Sequence, residues 1–136
     1  MISPPTTSKP LHVALWIAQA LLALLYLGTG IFKLIPPIAT LAALWPWAGE
    51  HPSLVRLTGI VDFLGGVGIV LPALTRIRPG LTVLAAAGLA ALQVAAIAFH
   101  LARGEAANTP FNFVMLAFAL FVFWGRRGKT PIAPQR

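Results

Sequence analysis

Leu57-Thr-Gly-Ile-Val-Asp62-Phe-Leu-Gly-Gly-Val-Gly-Ile-Val-Leu-Pro-Ala-Leu74 decides the fold. The stretch is apolar or small except for one acid at its centre. It has the length of a membrane crossing, for which about 20 mostly apolar residues are needed. A charge in the middle of such a helix costs roughly 2.5–3.5 kcal/mol on insertion scales. That cost is tolerated for a partner, a polar cavity or a task, so Asp62 marks a polar site inside a membrane protein.

The rest of the chain agrees. Of 136 residues, 58% are hydrophobic and 10% charged, and the mean hydropathy is +0.85. A soluble domain carries about 25% charged residues, so a soluble fold is excluded on composition. The length allows one domain over residues 1–136. Three further apolar runs accompany the first, and the pattern predicts helices over 11–34, 54–74, 80–102 and 108–125. The predicted fold class is therefore all-α, an integral membrane four-helix bundle. Pro36-Pro37 stops the first helix, and Pro72 lies at the end of the second. The first run is too long for the apolar core of a secretory leader and no small-x-small site follows it, so it is expected to stay in the protein.

An even number of crossings puts both termini on one side. That side holds Lys9, Arg76, Arg78, Arg126, Arg127, Lys129 and Arg136, against Lys33, Arg56 and Arg103 on the other. Basic residues accumulate on cytoplasmic loops, so both termini are expected in the cytoplasm of a multi-pass protein of the cell inner membrane. The formal net charge of +7 then reports orientation and contact with the lipid bilayer. No nucleic-acid partner is expected, because no recognition motif accompanies the charge. The chain has no cysteine, which excludes thiol exchange by its own side chains, a Cys-ligated iron–sulfur cluster and a Cys zinc site.

The in–out path brings polar residues of every helix to the outer half of the bundle. Lys33 closes the first helix. Arg56 opens the second, with Asp62 about 9 Å deeper at 1.5 Å per residue. Gln93 and His100 lie seven residues apart on one face of the third helix, which Arg103 closes with Glu105 just beyond. Asn108 and Asn112 open the fourth at i,i+4 spacing. These residues admit two readings. In one, the cations snorkel to headgroups, Asp62 pairs with one of them, and Gln93 and the asparagines bond between helices. In the other, Asp62 is an acceptor and His100 a donor or base in a ligand or proton site. A metal on His51, Asp62 and His100 has no supporting spacing, and none is expected. The loop 36–53 carries Trp45-Pro46-Trp47, either an interfacial anchor or a lid over an outer pocket. Gly59, Gly65, Gly66 and Gly68, with the small stripe Gly88, Ala91, Ala95 and Ala98, suit close helix packing and permit a homo-oligomer. The phenylalanines 111, 113, 118, 121 and 123 form a lipid-facing or packing surface, or an aromatic wall for a flat ring.

Three motifs in series resemble the DoxX-like family of small membrane proteins. Gly30-Ile-Phe-Lys33-Leu34 is similar to that family's G-x-x-K-L signature. Gly59-Ile-Val-Asp62-Phe-Leu-Gly65-Gly66-Val-Gly68-Ile-Val-Leu71-Pro72 is similar to its second-helix motif, where Glu is commoner than Asp. His100-Leu-Ala-Arg103-Gly104-Glu105, with Asn112 and Trp124-Gly125-Arg126, follows its passage from third to fourth helix. The order holds over roughly residues 12–127. The resemblance implies a four-helix membrane protein linked to thiosulfate:quinone oxidoreduction or oxidative-stress functions. It supplies no agreed catalytic set. Lys33, Arg56, Asp62, Gln93, His100, Arg103, Glu105 and Asn112 stand as the candidate polar site.

The expected function is an accessory or assembly component of a quinone-linked membrane redox system, with oxidoreductase subunits or a lipophilic small molecule as partners. No covalent cofactor is implied, and quinone is the small molecule the resemblance suggests. The alternative is a small enzyme of isomerase or hydratase type on a lipid-soluble substrate, in which Asp62 moves a proton. That requires Asp62 to face a cavity. A small multidrug-type transporter fits less well, because such proteins carry their essential carboxylate in the first helix.

Overall fold

The computed structural model describes residues 8–135, so Arg136 of the charge count lies outside the described residues. The chain forms α1 (Lys9–Leu34), α2 (Ile38–Leu44), α3 (Pro46–Glu50), α4 (Pro52–Thr75), α5 (Gly80–Ala102) and α6 (Pro110–Trp124). A 3₁₀ turn at Ala106–Asn108 precedes α6, and a π turn at Gly125–Lys129 follows it. No strand occurs among the described residues. α1, α4 and α5, of 26, 24 and 23 residues, are each long and apolar enough to cross a membrane. α6 has 15 residues, roughly 22 Å at 1.5 Å per residue.

Local chemistry explains most boundaries. Ser8 caps α1, its hydroxyl accepting from Leu11 N at 3.4 Å. α1 ends just before Pro36-Pro37. Pro72 does not end its helix, since α4 runs on to Thr75. Proline cannot donate to the carbonyl four residues back, here that of Gly68. The Thr82 hydroxyl of α5 donates to that carbonyl instead, at 3.3 Å, so the helix continues without a buried orphan. The expected fourth helix over 108–125 begins later, at Pro110. Asn108 sits in the separate 3₁₀ turn.

Neighbouring helices pack as a closed series, α1 on α4, α4 on α5, α5 on α6 and α6 on α1. The α1–α4 pair is the most intimate, because glycines remove the spacers. A Cβ on Gly30 would stand 2.8 Å from Phe63 N and 2.9 Å from Gly59 O. One on Gly59 would stand 2.8 Å from Lys33 Cβ, and one on Gly66 2.9 Å from Leu27 Cγ. Small residues give close helix approach where lipid supplies no hydrophobic drive, and the glycines of α4 serve that purpose. The core holds Leu22, Tyr26, Ile69, Leu89, Met115 and Val122. Large apolar residues such as Leu24, Leu64 and Leu84 are exposed instead, the arrangement expected of a surface in lipid. Phe111, Phe113 and Phe118 join that outer surface, whereas Phe121 and Phe123 pack on the core.

The segment 36–53, expected as a loop, folds into α2 and α3. Leu41, Ala48 and Val55 make a second small core there. Trp45 stacks on Trp47 at 6.2 Å, meets Phe32 edge-on at 5.6 Å, and Trp47 meets Phe99 at 5.6 Å. The tryptophans thus tie the C-terminal ends of α1 and α5 together. The sequence signal was hidden because two helices of seven and five residues are too short to show a period.

Candidate functional site

Asp62 is 2% exposed. α4 turns it toward α1, where the glycine contacts bring the two backbones together. Its Oδ2 accepts from Lys33 Nζ at 2.8 Å and from the Thr29 hydroxyl at 3.2 Å. Thr29 also lies 3.3 Å from Tyr26 O, and its single proton serves one acceptor at a time. Lys33 is therefore the partner of Asp62. Its spacing from Thr29, i,i+4, puts both on the face of α1 that meets α4.

Arg56, placed near Asp62 by the sequence, takes another role. Its Nη1 donates to Lys33 O and its Nη2 to Pro36 O, both at 2.8 Å. Pro37 has no N–H, so the Lys33 carbonyl lacks its partner from the chain ahead, and the Arg56 fork donates there and to Pro36 O just beyond the helix. Arg56 thereby holds the backbone that carries Lys33.

Gln93 and Asn112 form a second buried group with Tyr26. Gln93 Nε2 donates to the Tyr26 hydroxyl at 2.5 Å, and Gln93 Oε1 accepts from Asn112 Nδ2 at 2.8 Å. This chain links α1, α5 and α6 through one amide, and Tyr26 joins it without having been singled out from the sequence. Gln93 and His100 share a face but no bond, and Asn108 diverges from Asn112.

His100, Arg103, Glu105 and Asn108 make a third cluster, at the end where α5 closes and α6 begins. Arg103 pairs with Glu105 through Nε, and its Nη1 donates to Glu50 at 2.5 Å. Glu105 also takes Asn108 Nδ2 at 3.1 Å and lies 3.2 Å from His100 Nδ1. Hydrogen bonds from Arg103 hold the carboxyls of Glu50 and Glu105 below the ordinary range, and the same bonds raise Arg103. Glu50 was not expected here, and α3 delivers it. His51 and His100 both flank the Phe99 ring. Among the described residues no group of three His, Cys, Asp or Glu side chains is arranged to hold a metal ion.

Seven of the eight candidate residues thus divide into an ion pair, an amide relay and a cluster at the end of α5, and Arg56 braces the end of α1. Two clefts lie at the other end of the molecule, and none of these eight residues lines either of them. One, of about 320 Å³, is bounded by His12, Trp16, Arg76 and residues 131–133. The other, of about 520 Å³, is bounded by Phe123, Trp124, Arg127 and Lys129.

That end holds a polar group the sequence reading missed. Arg126 is 2% exposed. Its Nε donates to Gln19 Oε1 at 2.7 Å, its Nη1 to Thr130 O at 2.9 Å, and His12 Nδ1 lies 2.9 Å from Nη1. Gln19 in turn donates to Ile69 O at 2.8 Å. His12 and Gln19 stand seven residues apart, and that one-face spacing was the available signal. It was masked because Arg126, within a basic run, reads as an orientation charge.

The chain belongs to the DoxX-like family, whose model matches residues 17–122. No curated protein and no solved structure matches it significantly. The match spans Lys33, Asp62, Gln93, His100, Arg103, Glu105 and Asn112. Arg126 lies beyond it.

Proposed function

We propose that this protein crosses the membrane four times with both termini in the cytoplasm, and that it is an accessory or assembly component of a quinone-linked membrane redox system. The redox setting comes from the family resemblance. The accessory role is supported by one observation: Asp62, the residue best suited to membrane-embedded proton chemistry, is closed off by Lys33 and Thr29 between two tightly packed helices. A carboxylate that moves a proton on a lipid-soluble substrate must be within reach of that substrate. Here the acid lines neither cleft. It serves better as a strut that fixes α1 against α4, and the isomerase or hydratase reading has correspondingly less support. Crossing by α6 is supported by its apolar Phe-rich sequence and its packing between α5 and α1. The outer-end cluster and the tryptophan-tied α2–α3 cap would then form a rigid face for a partner.

Affinity isolation from native membranes in mild detergent tests this reading. Oxidoreductase subunits should co-purify with the wild type and be depleted with Arg103→Gln, which loosens the outer face but leaves the Lys33–Asp62 pair intact. A chain that purifies alone, and whose Asp62→Asn variant stays folded while losing turnover of an added lipid-soluble substrate, would overturn it in favour of the enzyme. Orientation is read from single cysteines placed in the cysteine-free chain at Ser8 and Gln135. Both should be labelled only from the cytoplasmic side.

A further inference from the structure

Every acidic side chain of this protein is engaged at or toward one end. Asp62 pairs with Lys33, and Glu50 and Glu105 pair with Arg103. Arg126, at the other end, is as buried as Asp62, yet its partners are neutral: an amide, a carbonyl, a hydroxyl and an imidazole nitrogen. Its Nη2 is buried and has no hydrogen-bond partner among the described residues. A buried guanidinium without a counter-charge is strongly unfavourable, and arginine cannot neutralise itself by losing a proton. Among the described residues no anion meets this charge.

The surroundings indicate where it enters. His12 and Trp16 each touch the Arg126 guanidinium, Trp16 with its ring 5.4 Å from Cζ, and each also lines the cleft of about 320 Å³. Arg126 therefore stands one side chain behind the cleft wall. Arg76 lines the same cleft and ties residues 133–135 across it, its side chain donating to Ala133 O and Pro134 O and its carbonyl accepting from Gln135 N. Arg76 has a left-handed backbone (φ 58°), which is uncommon for a non-glycine residue.

We propose that this cleft binds the phosphate of an anionic phospholipid, with Arg76 as the donor at the cleft wall, Arg126 as the buried positive charge behind His12 and Trp16, Trp16 against the glycerol and upper acyl region, and residues 130–135 as a strap over the headgroup. Arginine suits this task because its planar fork matches phosphate oxygens. The site lies where α1 begins and α4 and α6 end, at the level of lipid headgroups rather than of acyl chains. A membrane supplies the anion there at high local concentration. The inference does not depend on which side the termini occupy, nor on the redox role.

The test is native mass spectrometry of the full chain in mild detergent with dioleoylphosphatidylglycerol, dioleoylphosphatidylcholine or sodium phosphate added. The wild type should retain phosphatidylglycerol about tenfold over phosphatidylcholine, whose phosphate is already compensated by its own choline cation and offers no net anion. Arg126→Gln should abolish the preference, and the surface variant Arg76→Gln should reduce it. Hydrogen exchange on the wild type provides a readout that no folding defect can confuse: phosphatidylglycerol should add protection in residues 9–20 and 125–135. Equal retention of the two lipids, an unchanged preference in Arg126→Gln, or no added protection in those segments overturns the proposal. Thermal stabilisation by sodium phosphate equal to that by phosphatidylglycerol overturns the lipid as occupant.

Discussion

Replacing Lys33 with Met separates a structural role for Asp62 from a chemical one. The Asp62 side chain is 3% exposed and that of Lys33 18%. Lys33→Met therefore strands a carboxylate that has only the Thr29 hydroxyl left and cannot reach water. Breaking a buried ion pair in this way costs about 3–5 kcal/mol. The reverse change is milder. In Asp62→Asn the lysine keeps its charge, but it sits in the last turn of α1 and can swing its flexible stem outward. The cost falls to about 1–3 kcal/mol, that of one unsatisfied buried polar group. The double variant Lys33→Met/Asp62→Leu removes both charges and should be no worse than Asp62→Asn, because an apolar pair of similar volume often replaces a buried ion pair without loss. The assay is reversible unfolding in mixed micelles of rising SDS fraction, followed by tryptophan fluorescence. The order of stability should be wild type and double variant above Asp62→Asn, with Lys33→Met lowest. A double variant as unstable as Lys33→Met, or a Lys33→Met variant as stable as the wild type, would refute the strut.

Four further outcomes follow from the same contacts. Gly30→Ala should destabilise by about 1–3 kcal/mol, the usual cost of overpacking, since its Cβ meets backbone atoms of Phe63 and Gly59. Gly28→Ala, with nothing within 4 Å, should be neutral or gain up to about 1 kcal/mol of helix propensity, and the same SDS titration compares them. Thr82→Val should cost about 1–3 kcal/mol by orphaning the Gly68 carbonyl beneath Pro72, and Pro72→Ala should restore most of it. The carboxyls of Glu50 and Glu105 titrate low because Arg103 donates to them. A depressed folded value means their contribution is complete above the ordinary carboxylate range of about 4 and is lost as pH falls through the lower folded value. Trp47, which packs on Phe99 beside this cluster, should change its fluorescence in that acid window. Arg103→Gln should remove the transition.

What the sequence disclosed depended on the range of the signal. The long apolar helices were legible because hydrophobic runs are long and their limits are set by Pro36-Pro37 and by Gly125-Arg126-Arg127. The Lys33–Asp62 pair was legible as one of two choices. The glycines at 30 and 59 bring Lys33 to the carboxylate, whereas the missing N–H of Pro37 leaves the Lys33 carbonyl for Arg56. Nothing in the spacing of α4 alone weighs one demand against the other. The candidate residues were read as one site because they share a depth. Depth along a helix does not fix direction around it, and the structure turns Asp62 toward α1 and Gln93 toward Tyr26 and Asn112. Glu50 and Tyr26 were missed for the same reason: each has a bland local context and acquires its partner from a distant element.

The distribution of charge carries the argument one step further. With ten basic and three acidic residues, the chain cannot pair most of its cations, and the acids are placed where pairing fixes structure: two on Arg103 at an exposed end, one on Lys33 in the bundle. The remaining cations can face headgroups or water at little cost, as snorkelling side chains do. Arg126 is the exception. Its guanidinium is withdrawn from solvent between α1 and the turn after α6, where Gly125 packs against Leu15. A cation placed there merely to set orientation would serve as well on the surface, as Arg127 and Lys129 do. The Gln19 that receives it is itself anchored on Ile69 O of α4, so one buried guanidinium joins three helices through neutral groups. Such a junction leaves a buried charge that no anion meets among the described residues, and a bilayer surface supplies anions at the level where α1 begins.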